Sequence, residues 1–171
     1  FFVVSLGIAA FMFYGGLNTI SSSNLDIKIT APTIVSSGEE MVIGLSVVNE
    51  NPTEIQDVNL FVTYPNGSRE VSNNTPLTFE KIPLGNIKSG ESKDYAVRSL
   101  ISGEKGAVRS FMLRVEYKVV GSNATFSKEK PYEVVIGSSP VILELSYPKE
   151  VSSGQEITIS VDITTNSASV I

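Results

Sequence analysis

The oxygen-bearing side chains that follow residue 49 are the part of this sequence best suited to hold an ion. Glu50, Glu54 and Asp57 supply three carboxylates in one short segment, and Asn51-Pro52 predicts a turn between them. Calcium prefers such oxygen ligands, so these three residues are candidates for a calcium site. The segment lacks a D-x-D spacing, which favours the alternative of a solvated loop.

Catalytic chemistry finds less support. Glu39 and Glu40 are neighbouring carboxylates, but they lie in a predicted tight turn rather than in a cleft. The serines at 21–23 and 36–37 belong to no G-x-S-x-G elbow, and the chain has no histidine to serve as their base. The segment 85–90 lacks the G-K-[ST] of a phosphate-binding loop. We expect no catalytic residue, no enzyme activity and no cofactor.

Composition narrows the possible functions further. Cysteine and histidine are both absent, which removes disulfides, thiol nucleophiles and the commonest transition-metal ligands. The chain carries 18 acidic and 13 basic residues. Nucleic acids require a basic surface, so a nucleic-acid partner is not expected.

The N-terminal segment predicts a membrane anchor. Residues 1–17 carry no charge and are almost entirely apolar, and we expect a transmembrane helix over 1–20 that contacts the lipid bilayer through 1–17. A cleaved signal peptide and a buried core helix are the alternatives. Residues 21–24 are a predicted linker.

The charge pattern predicts which side of the membrane the rest occupies. No lysine or arginine occurs before Lys28, and basic residues mark the cytoplasmic flank of a membrane span. We therefore expect a single-pass protein of the cell membrane, extracytoplasmic from about residue 24 onward.

The body of the chain predicts β-strands separated by turns. Residues 107–120 give the clearest example, since apolar residues at every second position alternate with charged ones. Asn66-Gly67 is a hairpin turn signal, and 84–91 with its two glycines is a predicted loop. Pro131 cannot donate to a ladder, so its strand is expected to be an edge or bulged there. The other predicted strands are 25–30, 40–48, 56–64, 69–72, 77–82, 92–101 and 124–136.

The chain contains an internal repeat. Shifted by 116 positions, Val35-Ser36-Ser37-Gly38 falls on Val151-Ser152-Ser153-Gly154, and Pro32 falls on Pro148. A period near the size of one β-sandwich indicates tandem domains. The predicted organisation is a first sandwich over 25–137, a linker over 138–140, and the first two strands of a second, truncated repeat over 141–171. Two strands cannot close a core, so we expect 141–171 to be mobile or to pair onto an exposed sheet edge.

The predicted fold class is therefore all-β. Seven or eight short strands over 25–137 favour an immunoglobulin-like β-sandwich preceded by one N-terminal transmembrane helix. A closed barrel is the alternative, and the proline within the last strand argues against it.

Short motifs give the chain a resemblance to a known group. It resembles the immunoglobulin-like repeats of prokaryotic surface proteins, of the cell-adhesion-related or S-layer-like type. The matching pieces are Val35-Ser36-Ser37-Gly38-Glu39, Val48-Asn49-Glu50-Asn51 and Leu84-Gly85-Asn86-Ile87-Lys88-Ser89-Gly90-Glu91. The resemblance implies architecture and a surface location, and it implies no catalytic residues.

These observations predict a non-catalytic, membrane-anchored cell-envelope protein whose tandem sandwiches act as stalk, scaffold or adhesin. Its expected partners are the bilayer and an envelope or cell-surface protein. Two alternatives remain open. The sandwich is the extracytoplasmic docking domain of a secretion or assembly system, binding its partner by strand addition, or it is the spacer of a surface enzyme whose catalytic domain lies beyond Ile171.

Overall fold

The computed structural model describes residues 2–14, 22–138 and 141–165 of the chain. One α-helix and one short 3₁₀-helix precede a body composed of strands. The elements are α1 (Phe2–Tyr14), the 3₁₀-helix Ser22–Asn24, β1 (Leu25–Thr30), β2 (Ile34–Ser36), β3 (Glu40–Asn49), β4 (Ile55–Thr63), β5 (Ser68–Arg69), β6 (Phe79–Ile87), β7 (Ser92–Ile101), β8 (Val108–Val119), β9 (Thr125–Ser138), β10 (Val141–Ser146) and β11 (Ser160–Thr165).

The helix α1 is shorter than the sequence predicts. It contains 13 residues, whereas a span of the hydrocarbon core takes about 20. Within the described ranges, none of the helices has the length and apolar character needed to cross a bilayer. The structure therefore does not support the predicted transmembrane helix over 1–20, of which residues 1 and 15–20 lie outside the described residues.

Two sheets face each other across one core. The first has the strand order β1-β3-β7-β5 and the second has the order β2-β9-β8-β4-β6, while β10 and β11 form a separate pair. A four-stranded sheet packed on a second, mainly antiparallel sheet is the arrangement of immunoglobulin-like domains. The prediction of an all-β sandwich is confirmed, and the closed barrel does not form because each sheet keeps its own two edges.

Alternation along the strands explains how the core is filled. Every second residue of β8 is buried, from Phe111 to Val119, while the residues between them are at least partly exposed. The inward rows predicted for 40–48 and 56–64 are buried in the same way. One cluster gathers these side chains from both sheets. Each such burial stabilises the fold by about 1.5–3 kcal/mol, so this alternating pattern is the main source of stability.

Two segments differ from the prediction. Residues 84–87, expected to be loop, extend β6 past a bulge opposite Val58, where Gly85 has a φ of 75°. Glycine adopts this conformation without strain, so the strand bends there instead of ending. The strand β2 was not predicted, because it pairs in parallel with the distant β9 and has only three residues of its own.

Pro131 lies at an edge, as predicted. It faces Met112 of β8, and β2 joins β9 on the other side only from Val135 onward. The missing N–H of the proline therefore leaves no ladder bond unmade within the described strands.

The pair β10–β11 repeats β1–β3 in register. Leu25 faces Asn49 and Thr30 faces Gly44 in the first pair. Val141 faces Thr165 and Ser146 faces Ser160 in the second, which are the same positions shifted by 116. In the second pair, every side chain from 141 to 164 is exposed. Within residues 141–165, the expected pairing onto a sheet edge is not observed, since the two strands pair with each other. The domain boundaries remain a prediction.

Candidate functional site

The segment with the calcium candidates begins in a buried asparagine pair. Asn49 continues the inward row of β3 and is fully buried, as is Asn51. The Asn49 amide donates from Nδ2 to the carbonyl oxygens of Thr53 (2.9 Å) and Ile87 (3.0 Å). Its Oδ1 accepts from the backbone N (3.0 Å) and from Nδ2 (3.1 Å) of Asn51. One side chain thus makes four hydrogen bonds in a dry site, where such bonds are strong and their loss is costly.

The same pair of asparagines connects three segments of the chain. Asn51 Nδ2 also donates to the carbonyl of Asn24 at 3.3 Å, and the Asn51 carbonyl accepts from Ser89 Oγ at 2.7 Å. The end of β3, the turn 87–91 and the start of β1 are fixed to one another in this way. The motifs that carry the family resemblance, around residues 49–51 and 84–91, therefore serve here as a structural tie. We call Asn49 and Asn51 the asparagine tie.

The calcium candidates lie outside this tie and engage other partners. Glu54 Oε1 accepts from Asn86 Nδ2 at 2.9 Å, and Asp57 Oδ2 forms a 3.0 Å ion pair with Lys118 Nζ. Glu50 is exposed, and its backbone N donates to the Asn24 carbonyl. In the described parts of the chain, no three acidic side chains converge as metal ligands would. The calcium assignment remains a sequence prediction.

The repeated Ser-Ser-Gly turn has a structural role of its own. Ser37 is buried, and its Oγ accepts from the backbone N of Gly103 at 3.0 Å. Gly38 follows with a φ of 84°, and its N donates to the Ile101 carbonyl. Glu40 forms a 2.8 Å ion pair with Arg98 on the adjacent strand. The turn therefore joins β3 to the end of β7, and the side chains of Ser37 and Glu40 are engaged in these contacts.

Tyr64 is the titratable group most changed by its surroundings. Burial, together with its 2.6 Å hydrogen bond to Glu80 Oε2, raises the pKa of the Tyr64 phenol far above its ordinary value. Its ring meets that of Phe111 edge-on at 5.8 Å. A phenol that stays neutral beside a carboxylate acts as a hydrogen-bond donor, which fits a structural role at the side of the core.

A basic and aromatic cluster covers part of the outer face of the second sheet. The rings of Phe61 and Phe79 lie 5.9 Å apart, and Phe79 is 54% exposed. The guanidinium of Arg114 lies 4.9 Å from the Phe61 ring centre and the Lys81 amine lies 5.5 Å from it. These cations shield the ring and contribute about 0.5–1 kcal/mol each at an exposed site.

A cleft opens beside β7, and sequence reasoning missed it. It has a volume of about 280 Å³, and Val71, Leu77, Tyr95 and Val97 form its apolar part. Glu70 and Glu80 lie at its rim, and both carboxylates accept hydrogen bonds from neighbouring hydroxyls of the chain. The cleft exists because β5, the next strand of that sheet, has only two residues. The unusually short strand predicted after Asn66-Gly67 was the sequence signal that could have revealed it.

Comparison with known proteins gives the fold and no family. No protein-family model and no curated protein matches the sequence. Part of E. coli alpha-2-macroglobulin superposes with a TM-score of 0.51 at 8% identity, over 73% of this chain and 8% of that one. A CARDB domain from Pyrococcus furiosus gives 0.48 at 12% identity, over 67% and 94% of the two chains.

A cohesin module from a Clostridium perfringens family 33 glycoside hydrolase gives a TM-score of 0.46 at 14% identity, over 67% of this chain and 97% of that one. At such low identity these likenesses concern the fold alone. The assignment of an immunoglobulin-like β-sandwich rests on the strand order described above.

Proposed function

We propose that this protein is a non-catalytic structural module of the cell envelope that acts as stalk, scaffold or adhesin. The observation that carries the proposal is the repeat of the β1–β3 pairing at β10–β11, in the same register. The shared residues are turn and core positions, so the chain repeats a building unit rather than a site. The resemblance of the turn motifs to the immunoglobulin-like repeats of prokaryotic surface proteins supports the same proposal.

The proposal includes anchoring by the N-terminal segment, with residues from about 24 onward outside the cell. The support comes from the uncharged, apolar stretch 1–17 and the lack of basic residues before Lys28. Removal of this stretch, or a cleaved leader, would give a secreted module instead.

Cell fractionation tests the location. A host expressing the full chain with a C-terminal tag should retain it in carbonate-washed membranes, and external protease should remove the tag from intact cells. The control variant carries Leu6→Arg and Ile8→Arg and should no longer be retained in the membranes. Each arginine at the centre of a span raises the free energy of insertion by about 2.5–3.5 kcal/mol. Release of the unmodified chain by carbonate, or a tag that protease reaches only after lysis, would contradict the proposal.

Limited proteolysis tests the module itself. Native digestion of the full chain should leave an intact fragment that begins near Ser22 and ends near Ser138, because the core cluster spans only residues 25–136. Early cleavage within β3, β4 or β8 would show that the sandwich is not a rigid unit.

A second candidate function, a docking domain, is favoured by the cleft beside β7. Protein modules that accept an extended strand do so along an unpaired sheet edge, and the cleft adjoins such an edge.

A further inference from the structure

Three of the sandwich's four sheet edges carry lysine side chains or prolines that hinder pairing with another strand. Along β1, the amines of Lys128 and Lys130 donate to the carbonyls of Leu25 and Ile27. The exposed part of β9 contains Pro131, and the edge strand β6 contains Pro83. Charged side chains and prolines are the usual protection of natural sheet edges.

Both prolines occupy positions whose N–H would face outward. Tyr64 N donates to the Thr78 carbonyl, so even-numbered residues of the ladder face β4 and odd-numbered ones such as Pro83 face solvent. Val135 N donates to the Thr33 carbonyl on the β2 side, so Pro131 faces that side as well. At these two edges the donor that a new strand requires is missing.

The fourth edge, along β7, contains no proline from Ser92 to Arg98, although Lys93, Asp94 and Arg98 give it charged side chains. Gly38 N donates to the Ile101 carbonyl, so odd-numbered residues of β7 face β3 and the even-numbered ones face outward. In the part of the chain that the structure describes, β5 pairs with β7 only at Leu100 and Ile101, and its Arg69 also bridges Pro76. The backbone N–H and C=O groups of Ser92, Asp94, Ala96 and Arg98 therefore point away from β3, and none of these residues is proline.

The cleft lies on the inward side of this edge. Leu77 and Val97 belong to its floor, and Val71, which is 40% exposed, lies beside them. An added strand would place alternate side chains into this space, where they would cover exposed apolar surface. The rim carboxylates of Glu70 and Glu80 already accept hydrogen bonds within the chain. Aliphatic side chains would therefore gain most on entering the cleft, because they bury apolar surface there.

We propose that the outward edge of β7 from Ser92 to Arg98 is a docking site for one extended strand of a partner protein. The partner segment alternates aliphatic and polar residues, and it runs in line with β5. The continuity with β5 decides the placement, because the β5–β7 pairing already extends the sheet on this side at Leu100 and Ile101. The inference rests on the proposed function as a binding or scaffold module and gives that module its contact surface.

The probe for the test is a synthetic peptide with the sequence of residues 155–165, QEITISVDITT, which alternates aliphatic and polar residues. Amide exchange is measured by NMR on the full chain in detergent. In the free protein the amides of Asp94, Ala96 and Arg98 should exchange quickly, while those of Tyr95 and Val97 stay protected. Saturating peptide should slow the exchange of the first three at least tenfold.

The substitution Ala96→Pro removes one outward donor without touching the β3 ladder, and it should weaken peptide binding at least tenfold. Ala96→Val keeps the donor and is the matched control. Should Ala96→Pro fail to fold, a peptide N-methylated at alternate residues removes donors from the other partner, and it should bind at least tenfold more weakly.

Several results would overturn the inference. They are an unchanged exchange rate at Asp94, Ala96 and Arg98, protection at β1 or β6 instead, and equal binding by Ala96→Pro. Protection of the same amides on concentrating the chain without peptide would assign the edge to a second copy rather than a partner. None of these results bears on the fractionation test, so failure here leaves the envelope location standing.

Discussion

Replacing Asn49 by alanine gives the sharpest test of the asparagine tie. The substitution removes four hydrogen bonds of 2.9–3.1 Å from a fully buried site. A net contribution of about 1 kcal/mol for each bond predicts a loss of about 4 kcal/mol. A domain of this size has about 5–15 kcal/mol of stability in total, so the variant should be only marginally folded.

The measurement is unfolding by urea and by heat, each followed by circular dichroism because the chain has no tryptophan. The midpoint of thermal unfolding should fall by about 15 °C for Asn49→Ala. The control is Asn59→Ala, because the Asn59 amide donates to the Asp57 carbonyl at the surface, and its loss should be below about 1 kcal/mol. A loss below about 1 kcal/mol for Asn49→Ala as well would refute the reasoning.

Three further predictions concern the turn, the core and pH. Gly38→Ala forces a residue with a side chain to adopt a φ of 84°, and it should lower the free energy of unfolding in urea by about 1–2 kcal/mol. The control is Gly154→Ala, at a φ of 83° between the exposed strands β10 and β11, which should leave the stability of the sandwich unchanged. Equal effects of the two would contradict this. Phe111→Ala should cost about 3–5 kcal/mol by the same assay, and a loss under about 1.5 kcal/mol would mean that the ring is not fully buried. Because the pKa of Tyr64 is raised in the folded state, its contribution to stability is complete below the unfolded pKa of about 10 and declines above it. Above that pH, the free energy of unfolding should therefore fall less steeply with pH in Tyr64→Phe than in the unmodified chain. An unchanged pH profile would show that other tyrosines dominate.

Local patterns made most strands of the sandwich predictable. The inward rows of β3, β4 and β8 alternate strictly, and alternation is a property of neighbouring residues. The position of β2 could not be predicted in the same way, because three residues gain strand character only from a distant parallel partner. The bulge at Gly85 depends likewise on its pairing with β4, whereas glycine in the sequence suggests a loop.

The candidate site was only partly visible in the sequence. Asn49 interrupts an apolar row at an inward position, and a polar residue there predicts a buried hydrogen-bonded group, yet the Asn-Pro that follows suggested a simple turn. The edge of β7 is open because its neighbour β5 has only two residues. No pattern within residues 92–101 therefore reveals it. Edges belong to the sheet as a whole, and a sequence shows them only indirectly.

The recurring strand pair also bears on how the protein reaches its folded state. The β10–β11 pair keeps the register of β1–β3 although all its described side chains are exposed. The turn and the alternation therefore specify this register locally. During synthesis β1 and β3 leave the ribosome well before β7 and β8, so they can pair before those strands are present. The β1–β3 pair is thus available as a template on which the later strands assemble. Folding of the sandwich then has a direction along the chain, and slow steps fall on the long-range pairings of β4 with β8 and of β2 with β9.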